Sequence, residues 1–555
     1  MDGAETGTSS DVVAHPGQGA EYADVVVIGA GHNGLVAANL LADAGWDVLV
    51  LEAAPEPGGA VRSAEITEAG FVNDLASAFY PLGAASPVLR ELDLGAHGLR
   101  WRHAPAVLAH VTPDDRSVVL HRDVERTAAR LDAFAPGDGR TWSAMAREWS
   151  RIGPDLLETV LRPFPPVRAG ARLTRTLGVA DGMRLARTLM QPVRAFAEER
   201  FGGDGARLLL FGNALHTDLG PDIAGSAAFG WLLSMLGQDV GFPVPEGGAG
   251  MITAALMDRL VHRGGRVSCG RGVREVLVRG GRAVGVRDEQ GGPITARRAV
   301  LAAVAAPVLY RDLVGEEHLP PRFVTDLDRF SWDFSTVKLD WALSGPIPWT
   351  AGEVAGAGTV HLGADLDGMR RYTADLGAGR VPEDRFLLLG QMTTADPTRS
   401  PPGTESAWAY THIPRGLGWT RDEVLGYARR IEDTVERNAP GFRDLIRARA
   451  VSGPADLQAR DPSLVDGAIG GGTQAVHQQL FFRPVPGLGR ADTPVDRLFL
   501  AGASAHPGGA VHGGPGANAA RAALAADGIT GGLYRGLVRR LHRRIYADGP
   551  DDGRR

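Results

Sequence analysis

The apolar positions of this chain open with an unbroken run, Val25-Val26-Val27-Ile28, that stops at Gly29. A second run, Val48-Leu49-Val50-Leu51, stops at Glu52. Apolar runs without polar interruption fit strands buried on both faces, and the stretch between them predicts a helix over 34–44. From 123 to 240 the pattern turns helical, with prolines at 154, 163, 165 and 166 and apolar stretches at Leu208–Phe211 and Trp231–Leu236. That predicts an inserted, mostly helical domain, its apolar faces read first as core and only second as a substrate tunnel. Between 265 and 304, glycine pairs at 280–281 and 291–292 separate short alternating segments. These predict strands at Arg266–Cys269, Val273–Val278, Ala283–Arg287 and Ala299–Val304. Further strands are predicted at 336–343, 386–392 and 406–412, and a long helix at 422–438. The pattern closes with a strand at Arg497–Ala501, a glycine-rich loop and an alanine-rich helix at 517–527.

The first of these turns carries chemistry. Gly29 permits a tight turn, Gly31 lets the backbone approach a pyrophosphate, and Gly34 lets the helix pack closely on the sheet. The helix start presents free N–H groups and a positive dipole end to phosphates. Glu52 stands where a carboxylate can accept both ribose hydroxyls, which argues for an adenosine without a 2′-phosphate. Glycine turns are common in a chain with 75 glycines. Here the preceding strand, the following helix and the downstream carboxylate together mark a dinucleotide site. The strand, glycine loop and helix at 497–527 repeat the logic and predict a second anion or dipole-acceptor site. Gly356-Ala357-Gly358 lacks a third glycine, so a separate nicotinamide fold is not expected.

Composition narrows the classes. At 555 residues two or three domains are expected. A net charge of −6 gives no reason to propose nucleic acid as a partner. The only cysteine is Cys269, which excludes dithiol–disulfide chemistry and a cysteine metal cluster. No HxH or HExxH spacing occurs, so no metal is expected. Residues 1–20 are polar and acidic and read as a disordered tail. No apolar run reaches the length of a membrane span, and a cytoplasmic protein is expected. The basic segment 533–545 places Leu533, Leu537, Leu541 and Ile545 at four-residue steps. Such a stripe either packs on the protein body or lies peripherally on an anionic membrane.

Several motifs then occur in a telling order: the segment 24–59, Gly70-Phe71-x-x-Asp74, Pro245-Glu246-Gly247-Gly248 before a helix, the hairpin region 265–304 and the closing segment 497–524. Together they resemble the FAD-dependent amine oxidase and phytoene desaturase superfamily. Gly31-His32-Asn33-Gly34, Phe481-Phe482-Arg483-Pro484-Val485-Pro486 and Ala505-His506-Pro507-Gly508-Gly509 look most like one branch. It contains pyridine nucleotide-disulfide oxidoreductase domain-containing protein 2 and bacterial phytoene-dehydrogenase-like relatives. The resemblance implies an α/β fold, α+β overall: a discontinuous Rossmann-like FAD-binding domain of glutathione-reductase type with an interleaved substrate domain of mixed sheet plus helices. Segments 21–122, 241–310 and 469–530 would form the FAD-binding domain. Segment 123–240 would be a helical substrate or lid region, 311–468 the sheet and helices of the substrate domain, and 531–555 a C-terminal helix and tail.

By matched position, Gly29, Ala30, Gly31, Asn33 and Gly34 would line the pyrophosphate, and Glu52 with Ala53 the ribose. Gly59, Ala60 and Val61 would pass beside the phosphates and flavin edge, and Val273 would hold the adenine through its backbone. Gly502 and Ala503 would approach the ribityl chain, and Val511 to Gly513 the pyrimidine end of the flavin. Two positions depart from the pattern. Many relatives carry arginine at Ala60, where Arg62 is the available substitute. Many carry an acidic residue at Ala503, so that ribityl hydrogen bond is lost or comes from elsewhere.

The implied activity is a dehydrogenation that removes hydride from a carbon of an apolar substrate, isoprenoid or lipid-like, and leaves a new double bond. Electrons would pass to oxygen, a quinone or another carrier. FAD would be non-covalent, since Cys269 lies in a predicted hairpin strand. A flavin amine oxidase is the alternative enzyme, disfavoured because 505–510 lacks aromatic residues. A flavin-stabilised scaffold or regulatory protein with little turnover is the non-enzymatic alternative. Lys338, the only lysine, lies in a predicted strand and resembles the amine oxidase lysine that holds a water against flavin N5. Its ammonium can donate to one water and its pKa falls readily on burial. His506 is the second catalytic candidate. The competing reading for His506 and His512 is that both brace the loop; His477 is a third histidine of the region.

Overall fold

The computed structural model describes residues 21–547, so the tail expected at 1–20 and the end of the 531–555 segment lie outside the described residues. One sheet is built around Glu21–Ile28, which pairs in parallel with Val48–Leu51 on one side and Pro293–Ala302 on the other. Both faces are covered. Val25, Val27, Val48 and Val50 pack under helices His32–Asp43, Gly250–His262 and Gly514–Asp527. Val26, Ile28, Leu49 and Leu51 pack against the hairpin Val273–Arg279/Arg282–Asp288 and the segment 308–327. Double coverage is why these strands read as unbroken apolar runs. The outer edge of Pro293–Ala302 is shared, first by antiparallel Arg282–Asp288 and then by parallel Leu498–Leu500.

Arg266–Ser268 is not part of the hairpin: it pairs in parallel with Val48–Leu51. Cys269 follows it as loop, and burial together with the carboxylates of Glu52 and Glu56 pushes its thiol pKa up. The expected hairpin-strand position of Cys269 is thereby corrected.

The second sheet runs in the order Ile446–Ser452, Ser335–Leu343, Glu405–Ile413, Leu387–Gln391, Ala357–Leu362, Ala106–Val111, Ser117–Leu120. Its last two strands come from the segment assigned by sequence to the nucleotide-binding part. They leave it because Ala357–Leu362 offers a parallel edge to Ala106–Val111, so segment 21–122 serves both sheets. One face, with Val337, Leu339, Trp341, Val360, Leu389 and Ala409, packs under helix Arg421–Asn438. The opposite face carries Lys338, Asp340, Thr359, His361, Leu388, Trp408, Tyr410 and His412, by the two-residue alternation of strands. All nine residues of Ser335–Leu343 are nevertheless buried.

That polar face is roofed by helices between Val124 and Asp239, where Leu208–Phe211 and Trp231 enter a common core with Leu108, Leu388 and Trp408. The C-terminal helix Gly531–Ile545 docks with only the far end of the predicted stripe: Ile545 packs on the core and Leu541 is half-buried. The Tyr534 hydroxyl reaches both Asp492 oxygens at 2.9 and 2.8 Å, and Tyr546 is buried, while Leu533 and Leu537 stay exposed. No helix among the described residues is long and apolar enough to cross a membrane.

Candidate active site

Gly29 turns the chain at φ +91°, and Gly31 is the N-cap of helix His32–Asp43. A Cβ on Gly34 would stand 2.0 Å from the Gly29 carbonyl oxygen, and one on Gly516 the same distance from that of Asn33. Two helix starts are therefore packed backbone to backbone at one point. A Cβ on Gly31 would meet nothing within 4 Å, so open space lies above that turn. His32 Nε2, Asn33 Oδ1 and Asn518 Oδ1 are buried there with no partner in the protein. Unpaired polar atoms, free helix N–H groups and an open cradle together fit a bound dinucleotide phosphate.

Glu52 accepts from Ala30 N–H at 2.7 Å and from Ala54 N–H at 2.9 Å, so it ties the turn to its own loop and keeps lone pairs for a ribose. Ala53 between them is exposed. Arg271, two residues before Val273, donates its backbone N–H to the Glu52 carbonyl at 2.8 Å. Gly58 donates to Ala30 O at 2.9 Å, which lays Gly59, Ala60 and Val61 beside the turn. Arg62 donates to the carbonyls of Gly59 and Arg460, so it braces this loop. On the far side Gly502 packs on Val304, and its added Cβ would lie 2.3 Å from the Val304 carbonyl. Ser504 Oγ, one residue beyond Ala503, is buried without a partner in the protein. Val511 and Gly513 continue the loop, with Gly513 at φ +72° against Val36.

A cavity of about 280 Å³ opens where Ala60 and Gly509–Val511 meet the polar face of the second sheet. Phe79, Phe229, Leu232, Phe242, Trp408 and Tyr410 are among the residues that line it. The Trp408 and Tyr410 rings are stacked at 5.9 Å with 16° between their planes. Lys338 lines the same cavity, 4 % exposed, with its Nζ on Asp340 Oδ1. Burial pushes the Asp340 pKa up, and the Lys338 ammonium works against it. Lys338 is therefore an interior residue.

The catalytic reading of His506 needs correction. It is 4 % exposed, its Nε2 bonds the Arg162 carbonyl at 3.1 Å, and it is not among the residues that line the cavity. Burial holds its pKa down at about 4, so the ring is neutral and braces the loop. His512 does the same through Gly509 O at 3.2 Å and Gly514 N–H at 3.0 Å, and His477 is exposed. Two groups escaped the sequence reading. His216 lines the cavity from the turn after helix Asp204–Ala214. Arg483, 1 % exposed, holds the carbonyls of Thr473, Gly471 and Ala503. Arg483 lies in the Phe481–Pro486 motif, whereas nothing in the sequence around His216 marks it.

The sequence pattern of the family described as "Flavin containing amine oxidoreductase" matches residues 34–524. The mouse protein named pyridine nucleotide-disulfide oxidoreductase domain-containing protein 2 is 28% identical over 90% of this chain and 93% of its own. A phytoene desaturase (neurosporene-forming) of Rhodobacter capsulatus is 26% identical over 88% and 90%. In three dimensions, a Methanosarcina mazei oxidoreductase superposes with a TM-score of 0.60 at 15% identity, covering 90% of this chain and 99% of that one. Putrescine oxidase bound to putrescine superposes with a TM-score of 0.54 at 15% identity, covering 91% and 99%.

Proposed function

Because the chain belongs to the flavin containing amine oxidoreductase family, we propose that it holds FAD non-covalently in the glycine cradle and desaturates a carbon–carbon bond of a compact apolar substrate. That it is a flavin-dependent oxidoreductase follows from the family itself. The finer reading is carried by the cavity, which abuts Ala60 and Gly509–Val511 of the nucleotide-binding part and is otherwise walled mainly by apolar side chains. Its volume of about 280 Å³ falls just below the range for small-molecule sites, roughly 300–1,000 Å³. FAD held in the glycine cradle would supply the hydride acceptor for a dehydrogenation that leaves a carbon–carbon double bond. Electrons would then pass to oxygen, a quinone or another carrier. The protein's own part is to exclude water with the aromatic and aliphatic wall and to set Lys338 in the cavity at a fixed position through Asp340.

Lys338→Met is expected to leave FAD bound and to slow flavin reduction, or its reoxidation by oxygen, by roughly 10²-fold, the scale of a positioned proton-transfer group. Anaerobic stopped-flow reduction and aerobic reoxidation read the two halves separately, and unchanged rates in both remove Lys338 from the chemistry. Glu52→Ala is expected to weaken FAD binding by about 1–3 kcal/mol, the range for losing a charged hydrogen-bond partner. Flavin occupancy on dilution measures it; full retention contradicts the ribose assignment. NADH and NADPH are expected to bleach the flavin only slowly in stopped flow, and rapid bleaching would place a nicotinamide site in the protein.

An amine oxidase is the second reading, supported by the Trp408–Tyr410 pair. These rings come from strand Glu405–Ile413 and not from the C-terminal loop, which is why the sequence argued against an aromatic site. Anaerobic bleaching by simple alkylamines, with none by unsaturation-prone apolar molecules, would favour it. Bleaching by neither class would favour the scaffold.

A further inference from the structure

His216 is joined to a second histidine in a way that determines which of its nitrogens carries the proton. His216 Nε2 and His361 Nε2 are 2.8 Å apart, so one donates and the other accepts. His361 lies on strand Ala357–Leu362 with no exposed surface, and its Nδ1 has no partner. That nitrogen faces Gly212, where an added Cβ would lie only 2.2 Å away. If His361 accepted at Nε2, its proton would sit on Nδ1 as an orphaned buried N–H, the rarer and costlier kind of unsatisfied group. If it donates from Nε2, only a lone pair is left bare at Nδ1. The neighbouring His110 follows the second arrangement: its Nε2 must donate to the Ala364 carbonyl at 2.8 Å, and its buried Nδ1 is a bare lone pair. The same solution for His361 makes His216 the acceptor at Nε2 and places its proton on Nδ1. Burial holds both rings neutral, His216 at about 3.

His216 Nδ1 has no hydrogen-bond partner among the described residues, and its ring lines the cavity. A second unpaired group lies nearby. Thr359 Oγ1 is buried without a partner, lines the same cavity, and projects from the same strand face as His361 two residues on. Asp218 accepts from Gln474 N–H at 2.8 Å and fixes the turn that carries His216.

We propose that His216 Nδ1–H and Thr359 Oγ1 form a recognition site for an oxygen on the substrate, so that the substrate is an apolar molecule bearing a carbonyl or hydroxyl rather than a pure hydrocarbon. This rests on the cavity being the substrate site. His361 is a positioning residue: it touches no substrate and sets the tautomer of His216.

The test uses the flavin-loaded protein and three probes with one carbon skeleton: cyclooctanone, cyclooctanol and cyclooctane. Binding is read from perturbation of the flavin absorbance. The ketone is expected to bind at least about tenfold more tightly than the hydrocarbon, the worth of one buried hydrogen bond. His361→Leu and Thr359→Val should shrink that preference to about threefold or less, whereas His361→Gln, which keeps a donor, should retain it. Equal binding of all three probes, or a preference untouched by His361→Leu, overturns the recognition site and leaves the cavity reading standing. Absence of any perturbation by all three overturns the cavity reading and the site with it. A fold-independent check is ¹⁵N-histidine NMR of the unmodified protein. A His216 signal protonated at Nδ1 supports the proposal, and one protonated at Nε2 overturns it.

Discussion

Gly31→Ala is expected to empty the protein of flavin while leaving its fold unchanged, and Gly34→Ala to damage the fold itself. The two glycines sit three residues apart in one motif, yet their surroundings differ. Gly31 has φ −64°, which any residue adopts, and a methyl group there meets no protein atom within 4 Å. That methyl group enters the space the phosphates would take, so the cost falls on binding alone. A steric conflict of about 3 kcal/mol lowers affinity about a hundredfold. At Gly34 the added Cβ would lie 2.0 Å from the Gly29 carbonyl oxygen and 3.1 Å from Ala303 Cβ. Helix and strand must separate there whether or not a cofactor is present. Thermal melts of the flavin-free proteins with flavin titrations read the two effects apart. Equal destabilisation of both flavin-free variants would contradict the assignment of Gly31 to the cofactor.

The second large effect is expected at Arg399, whose truncation to alanine should cost about 3–5 kcal/mol, the range for stranding one member of a buried ion pair. Arg399 Nη2 lies 2.6 Å from Asp74 Oδ2, and both side chains are wholly inaccessible. Asp74 Oδ1 accepts from Ser63 Oγ at 2.7 Å and from the Ala249 N–H at 2.8 Å. One carboxylate thus joins the loop after the glycine pair, the start of helix Gly250–His262 and the turn at 397–399. Arg399→Ala leaves that carboxylate buried and uncompensated. Asp74→Asn with Arg399→Met removes both charges and keeps an acceptor for Ser63 and Ala249, so the double variant should be the more stable of the two. A double variant no better than Arg399→Ala would show that packing, not charge, is at stake.

Asp74 also shows how a legible motif can be misjudged in scope. Gly70-Phe71-x-x-Asp74 stood out in the sequence as a family pattern, but its partner lies more than three hundred residues away in chain order. Sequence spacing says nothing about such a contact. The same holds for the stripe Leu533, Leu537, Leu541 and Ile545. Its four-residue period correctly predicts a helix, but only its far end at Ile545 packs on the core, while Tyr534 anchors the near end through Asp492.

By itself the sequence determined the features that depend on local backbone chemistry. Val25–Ile28, Gly29 and the helix after it follow from apolar runs, a left-handed turn and a helix start, all within twenty residues. Strands at 336–343, 386–392 and 406–412 and the helix at 422–438 followed from the local pattern alone. Only the tertiary structure decided what the polar side of those strands faces. Alternation in Thr336, Lys338 and Asp340 reads as a solvent-exposed face, because water is the usual partner of alternate polar residues. Here the helices between 124 and 239 cover it, so Lys338 lines a cavity while Thr336 and Asp340 are buried. Burial then changes their chemistry: Lys338 must pair with Asp340, and His216 and His361 must share one proton between facing nitrogens. Those constraints arise from desolvation, a property of the assembled volume that no single stretch of chain encodes.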